Sequence, residues 1–404
     1  MRISTSSFYE KSQAAMSSQQ DNLLRVQQQM GSMTKILTPS DDPLSATRAL
    51  GVTQSIALNA QYAASRGQAI QTLSLEENNL QSVTSVLQDL KTMVVQAGNG
   101  TLADADRSSI AAAMQSSLDQ LLGLANSDDG NGQFLFAGFK SSSQPFARQS
   151  NGSVLYSGDQ GQRLMQVDVS RQMATSDDGR SIFQSVQDGA GYVSAANAAN
   201  AGTGVFGSSS VINSSDANYG KDFSISFPTP GTYQVDSIPA GSAPISAGSY
   251  KDGDPIQFGG LQIVISGAPA AGDSFNVSTA KNAGTDIFGA ISDALVALRR
   301  PLTGSSDTSR TQLLNALSTA NRKITNAHDN VLTVRSSVGS RLQELDAINT
   351  AGASRTQFDR SQLSDLQDLD YASAISELYQ RQTALQATQQ AFVKIQKLSL
   401  FNFL

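Results

Sequence analysis

The chain has 404 residues, 39% of them apolar, no cysteine, no tryptophan and a net charge of −6, with an isoelectric point near 4.9. That is enough apolar material for packed cores in two or three domains, and it excludes both a disulfide framework and a thiolate metal site. The acidic balance and the absence of any Lys/Arg run exclude a phosphate-binding surface, so nucleic acid is not an expected partner.

No apolar run approaches the roughly 18 residues of a membrane span. The opening MRISTSSFYEKSQ lacks the basic-then-apolar order of a secretory leader, so an extracellular destination implies dedicated export without a cleaved signal peptide.

Taken in order, residues 1–37 place Met16, Leu23, Met30 and Leu37 at intervals of seven, with Val26 and Met33 between them. Alternating steps of three and four define a coiled-coil seam, and a stripe this narrow distinguishes it from the wider apolar face of an ordinary core helix. The segment TPSDDP then breaks the pattern, with Asp42 placed to cap the next helix and Pro43 in its first turn. The pair Asp41 and Asp42 reads as capping chemistry and not as an acid/base couple.

From Leu44 to about Ala97 the period is helical, with Leu73, Leu80, Leu87 and Val94 at sevens. Unbroken, this is a rod of roughly 80 Å at 1.5 Å per residue. Gly98, Asn99 and Gly100 end it, and a further helix is predicted from about Asp104 to Asn126. The run SDDGNGQFLFAGF predicts a helix stop and a hairpin strand. Its Asp128, Asp129 and Asn131 do not make a calcium loop, because no Glu stands at the twelfth position.

From about Gly152 to Ala280, turn residues alternate with pairs of patterns such as Phe223, Ile225, Phe227 and Leu261, Ile263, Ile265, which predict short strands. Gly202, Gly204 and Gly207 spell GxGxxG, but no strand–helix context surrounds them, and the match is read as chance.

Helices resume after GTDIFG. Leu317, Ile324, Val331, Val338 and Leu345 repeat at sevens, as do Ala320, Ala327, Val334 and Ile348, with Arg341 the one interruption. The predicted mate is the helix from Leu44 to Ala97. The single histidine, His328, stands beside the seam with no Ser or Cys partner pattern. The final stretch, Leu363 to Leu404, reads as one amphipathic helix with Leu378, Leu385 and Phe392 at sevens, Ile375, Ile395 and Leu398 beside them, and Phe401 and Phe403 in the closing LSLFNFL.

The implied fold class is α+β: a long helical bundle or coiled coil made by the N- and C-terminal segments, with an inserted β-rich domain at its far tip. The expected domains are 1–40 with 360–404, disordered in the monomer; 41–187 with 283–359, a helical rod carrying a β-hairpin; and 188–282, the insertion. Rod-core positions are Leu73, Leu80, Leu87, Val94, Leu317, Ile324, Val331, Val338 and Leu345. Subunit-interface positions are the seam residues of the two ends. No catalytic, cofactor or metal residue is expected, and the chain is not expected to be an enzyme.

The motifs MRIST, TPSDDP, SLEENNLQSV, NGTLADADR, DGNGQFLFAGFK, NVLTVRSSVGSRLQELD, QTALQATQQAF and LSLF occur in that order. Together they resemble the hook–filament junction family of the bacterial flagellin superfamily, over roughly residues 1–148 and 285–404. The resemblance implies an extracellular structural subunit of the flagellum, exported unfolded by the type III apparatus. Its implied partners are a homo-oligomeric ring, a hook-side junction protein, flagellin, and an export chaperone on the C-terminal helix. Two other readings stand beside it. One is a filament-forming flagellin. The other is a glycan- or host-surface-binding module in the insertion, whose Tyr219, Tyr233, Asp236 and Tyr250 could line a binding face.

Overall fold

A computed structural model describes residues 5–401 except 151, 242 and 303–305, without the side chains of 5, 6, 8 and 395–401. The chain divides into two compact units, residues 1–64 with 347–404, and residues 65–346. The division falls inside the two longest helices.

In chain order the helices are α1 (Thr5–Ser32), α2 (Pro43–Ala97), α3 (Asp104–Ala125), α4 (Gly179–Phe183), α5 (Ile287–Leu298), α6 (Asp307–Gln367) and α7 (Tyr371–Phe401). The strands are β1 (Phe146–Arg148), β2 (Val154–Tyr156), β3 (Leu164–Asp168), β4 (Arg171–Ala174), β5 (Val193–Ala196), β6 (Val205–Phe206), β7 (Ser210–Val211), β8 (Asp222–Ser226), β9 (Thr232–Ile238), β10 (Ser246–Ser249), β11 (Pro255–Phe258), β12 (Leu261–Ser266) and β13 (Ser274–Ser278).

The start of α2 follows its sequence signals: the Asp42 carboxylate accepts the Ser45 N–H over 3.1 Å, and Pro43 is the first helical residue. In the larger unit Leu73, Leu80, Leu87 and Val94 of α2 and Leu317, Ile324, Val331, Val338 and Leu345 of α6 are all buried. Equal seven-residue periods let two seams stay in contact. Here the helices run antiparallel, with Arg335 on Glu77 at 2.6 Å and His328 3.5 Å from Gln88. His328 is thus a packed side chain at the helix boundary.

The predicted hairpin strand in QFLFAGF does not form; the segment holds one isolated bridge, Asp128 to Phe134, followed by turns. The Asp129 carboxylate takes the N–H groups of Asn131 and Gln133, and Asp159 takes that of Phe139. Side-chain acceptors compete here with a strand ladder. The phenylalanines build a cluster instead: Phe183 meets Phe136 and Phe146 edge-on at 5.6 and 5.5 Å, and Phe288 of α5 joins Phe146 at 5.4 Å.

The insertion has a five-stranded antiparallel sheet, β10-β9-β8-β13-β5, and a second sheet in which β12 pairs with β11, β6 and β7. Phe223, Ile225 and Phe275 from the first share one core with Ile256, Leu261, Ile263 and Ile265 from the second, which is the packing of a β-sandwich.

The insertion is seated along the first part of α6. Asn315 Nδ2 donates to the Gly204 carbonyl at 2.9 Å while its Oδ1 accepts the Phe206 N–H at 3.2 Å. Thr319 donates to Ser194 O, Arg322 to Tyr192 O and Asn326 to Gly191 O. These side chains recur at three- and four-residue steps, so one polar face of α6 meets strand-end carbonyls while its apolar seam faces the bundle. No helix begins at Gly202, Gly204 and Gly207; β6 lies between Gly204 and Gly207, and β7 follows.

Candidate functional site: the terminal helix pair

In the smaller unit α1 packs against α7, with the Tyr9 and Phe392 rings 5.3 Å apart. The pairing is anchored where both helices begin or end. Thr34 bridges Asp368, Lys35 N–H donates to Gln367 O at 2.8 Å and Leu369 N–H to Met33 O at 3.1 Å. Lys35 Nζ adds a bond to Asp365 O at 2.6 Å.

These contacts explain two departures from the periodicity. The stretch Leu363–Leu404 is not one helix: α6 ends at Gln367, and Asp370 caps α7 by accepting the N–H groups of Ala372 and Ser373. Likewise α1 ends at Ser32, so Met33 and Leu37 lie beyond the helical seam. Met33 has φ 59°, the left-handed conformation that closes helices, and its side chain is 65% exposed. That conformation costs a non-glycine residue roughly 1–2 kcal/mol, and the Leu369 bond to its carbonyl helps to offset it.

The connection between α1 and α2 is held by Asp41. Its carboxylate accepts the N–H groups of Thr38 and Leu37 and pairs with Arg25 at 2.9 Å. The Thr38 bond, ahead of the Leu37 bond and the Arg25 charge, holds it below the usual carboxylate range. Asp42 and Asp370 are lowered by their bonds to Ser45 and Ser373. The paired acids therefore serve the turn, and nothing in their geometry suits proton transfer.

Among the described seam side chains only Val26 and Ala374 are buried; Met16, Leu23, Met30, Leu37, Leu378, Leu385 and Phe392 are half-buried, and Ile375 is 41% exposed. The side chains of Ile395, Leu398 and Phe401, and the whole of Phe403, lie outside the described residues. Sequence reasoning missed Tyr9, Ala374 and Tyr371, whose hydroxyl donates to Met30 O. Their only sequence signal is an aromatic or small residue beside the heptad positions. Further exposed apolar side chains stand on the same unit: Leu24, Leu44, Leu50, Leu58, Phe358 and Tyr379. Among the described residues no group of three or more His, Cys, Asp or Glu could hold a metal ion, and no helix is long and apolar enough to cross a membrane.

Comparison with known proteins places these features. The bacterial flagellin N-terminal helical region matches residues 3–141 and the C-terminal helical region residues 322–404. The chain is 31% identical over 402 residues to flagellar hook-associated protein 3 of Escherichia coli (strain K12), covering 100% of this chain and 99% of the relative. It is likewise 31% identical over 402 residues to the Salmonella typhimurium protein of that name, with the same coverage of both chains. Among solved structures, FlgL of Xanthomonas campestris aligns with TM-score 0.69 at 32% identity, covering 78% of this chain and 99% of that one. The flagellar junction protein FlgL of Legionella pneumophila aligns with TM-score 0.69 at 27% identity, covering 80% and 100%. The chain belongs to the flagellar hook-associated protein 3 family of the bacterial flagellins, structural components of the flagellum and not enzymes.

Proposed function

We propose that this chain is the structural subunit joining the hook-side junction protein to the flagellin filament, outside the cell. It assembles by packing of its terminal helices after type III export. The observation that supports this reading is the incomplete cover of the α1–α7 pair: each helix shields one face of the other, and the seam stays half-exposed from Met16 to Phe392. Copies of the same chain arranged about one axis would cover the remaining faces and close into a ring. No bond is made or broken.

The same exposure explains the other partners. An apolar stripe on α7 that waits for assembly needs shielding, which is the work of an export chaperone. In the free monomer residues 1–40 and 360–404 are expected to be largely disordered and to fold on assembly. Strong hydrogen-exchange protection of both ends in dilute monomer would contradict this.

Truncation tests the assignment. Removing residues 1–40 or 368–404 should leave a soluble protein with a folded larger unit that fails to assemble at the hook tip. Unchanged assembly would sink the reading, as would growth of long filaments from the full chain alone.

A further inference from the structure

The β3–β4 hairpin is held by charge more than by burial. Val167 and Met173 are its buried side chains, while Leu164 and, at the turn, Val169 are exposed. From α2, Arg66 Nη1 donates to Val167 O at 3.0 Å. From α6, Glu344 accepts both Nε and Nη2 of Arg171 at 2.6 and 2.8 Å, and Arg341 Nη1 donates to Ala174 O at 3.0 Å. Arg341 is the residue that interrupts the heptads, and its Nη2 also pairs with Asp177, just past β4.

The innermost member of this set is Glu76 of α2, only 1% exposed. Its Oε1 accepts the Asp177 N–H at 3.3 Å, and its Oε2 has no hydrogen-bond partner. Two carboxylates here face one guanidinium. Asp177 takes Arg341 together with the Gln162 amide at 3.2 Å, and the neighbouring Glu77 is engaged by Arg335. Glu76 is left without a counter-charge of its own, and a buried carboxyl so placed must be neutral.

We propose that Glu76 is a proton-operated latch: in its neutral form it closes the segment after β4 onto α2, and its ionisation frees the hairpin strapped across α2 and α6. Burial first, and then the Asp177 charge, push the Glu76 carboxyl up to about 8 against the opposing pull of Arg341. Loss of the proton leaves an unbalanced negative charge where water is excluded. Withdrawal of residues 174–178 admits water and relieves it. The hairpin then rests on Arg66 and the Arg171–Glu344 pair, and the apolar surface offered by Leu164 and Val169 shifts with it.

Amide hydrogen exchange on the full chain between pH 6 and 9, corrected for intrinsic rates, tests the latch. Opening of residues 164–178 should rise about tenfold from pH 6 to pH 7, as a single proton titrating below its folded value of about 8 requires, and level off above that value, while Glu76→Gln should show no such rise. A flat response in the parent chain overturns the proposal, and so does an unaltered response in Glu76→Gln. Carbon-13 titration of the Glu76 carboxyl gives a second readout: a midpoint near 8 is expected, and one in the ordinary carboxylate range overturns the latch.

Discussion

The hydroxyl of Tyr371, at the start of α7, donates to the main-chain oxygen of Met30 over 2.7 Å, two residues before α1 ends. It ties a helix terminus, where carbonyls lack helical partners, to the first turn of the helix it pairs with. Tyr371→Phe should cost the terminal pair about 0.5–1.5 kcal/mol, at the low end because the tyrosine is 41% exposed. Hydrogen exchange of α1 amides in the assembled state, compared with the assembled parent chain, would register it, with the larger unit unchanged.

Val26 and Ala374 are the buried seam positions of the smaller unit. A carboxylate at either site has no partner and would block the close approach of neighbouring copies. Val26→Asp should abolish assembly at the hook tip while urea unfolding of the larger unit keeps its midpoint.

Leu80 is fully buried between the long helices of the larger unit. Leu80→Ala should destabilise that unit by about 2–5 kcal/mol through lost contacts and a residual cavity. Chemical denaturation followed by circular dichroism measures this directly.

Asn315 satisfies two main-chain groups of the insertion at once, and it is 3% exposed. Asn315→Ala strands a buried N–H and a buried C=O, at about 1–3 kcal/mol for each group left unpaired. Faster exchange at residues 204–206 with an intact sandwich core is the expected signature, because the core of Phe223, Ile225 and Ile263 is built independently of this contact.

Stability should also vary with pH in a defined direction. Glu76 binds its proton more tightly folded than unfolded, with a value of about 8 against an ordinary 4.5. Its contribution is therefore complete below about pH 4.5 and is lost as pH rises towards 8. Asp41, Asp42 and Asp370 are shifted the other way, so theirs is present above the ordinary carboxylate value and lost as pH falls below it. Thermal melts of Glu76→Gln against the parent chain should show no loss of stability between about pH 4.5 and 8 from this group, while the acid limb stays in place.

Seven-residue spacing is a local property of the chain, which is why the rod positions, the β-rich insertion and the capping roles of Asp42 and Pro43 could be read without coordinates. Two bundle-forming segments with the same period and a turn-rich stretch between them leave little choice of fold class. The breaks were harder to see. Met33 belongs to the predicted seam and Asp368–Asp370 lie inside a stretch read as one helix, and only the pairing of the two connections, Thr34 with Asp368 and Lys35 with Gln367, shows that both helices stop there. The FLFAGF run failed for a related reason: Asp159, twenty residues on from Phe139, captures its backbone and denies it a partner strand. Position in sequence likewise marked Arg341 as an interruption but could not show that it meets Ala174 and Asp177, or that Glu76 lies against the same turn. Those meetings join residues from three segments far apart in the chain. A buried carboxyl acquires its protonation state from whatever charge the fold brings beside it, and that neighbour is set by packing and not by spacing.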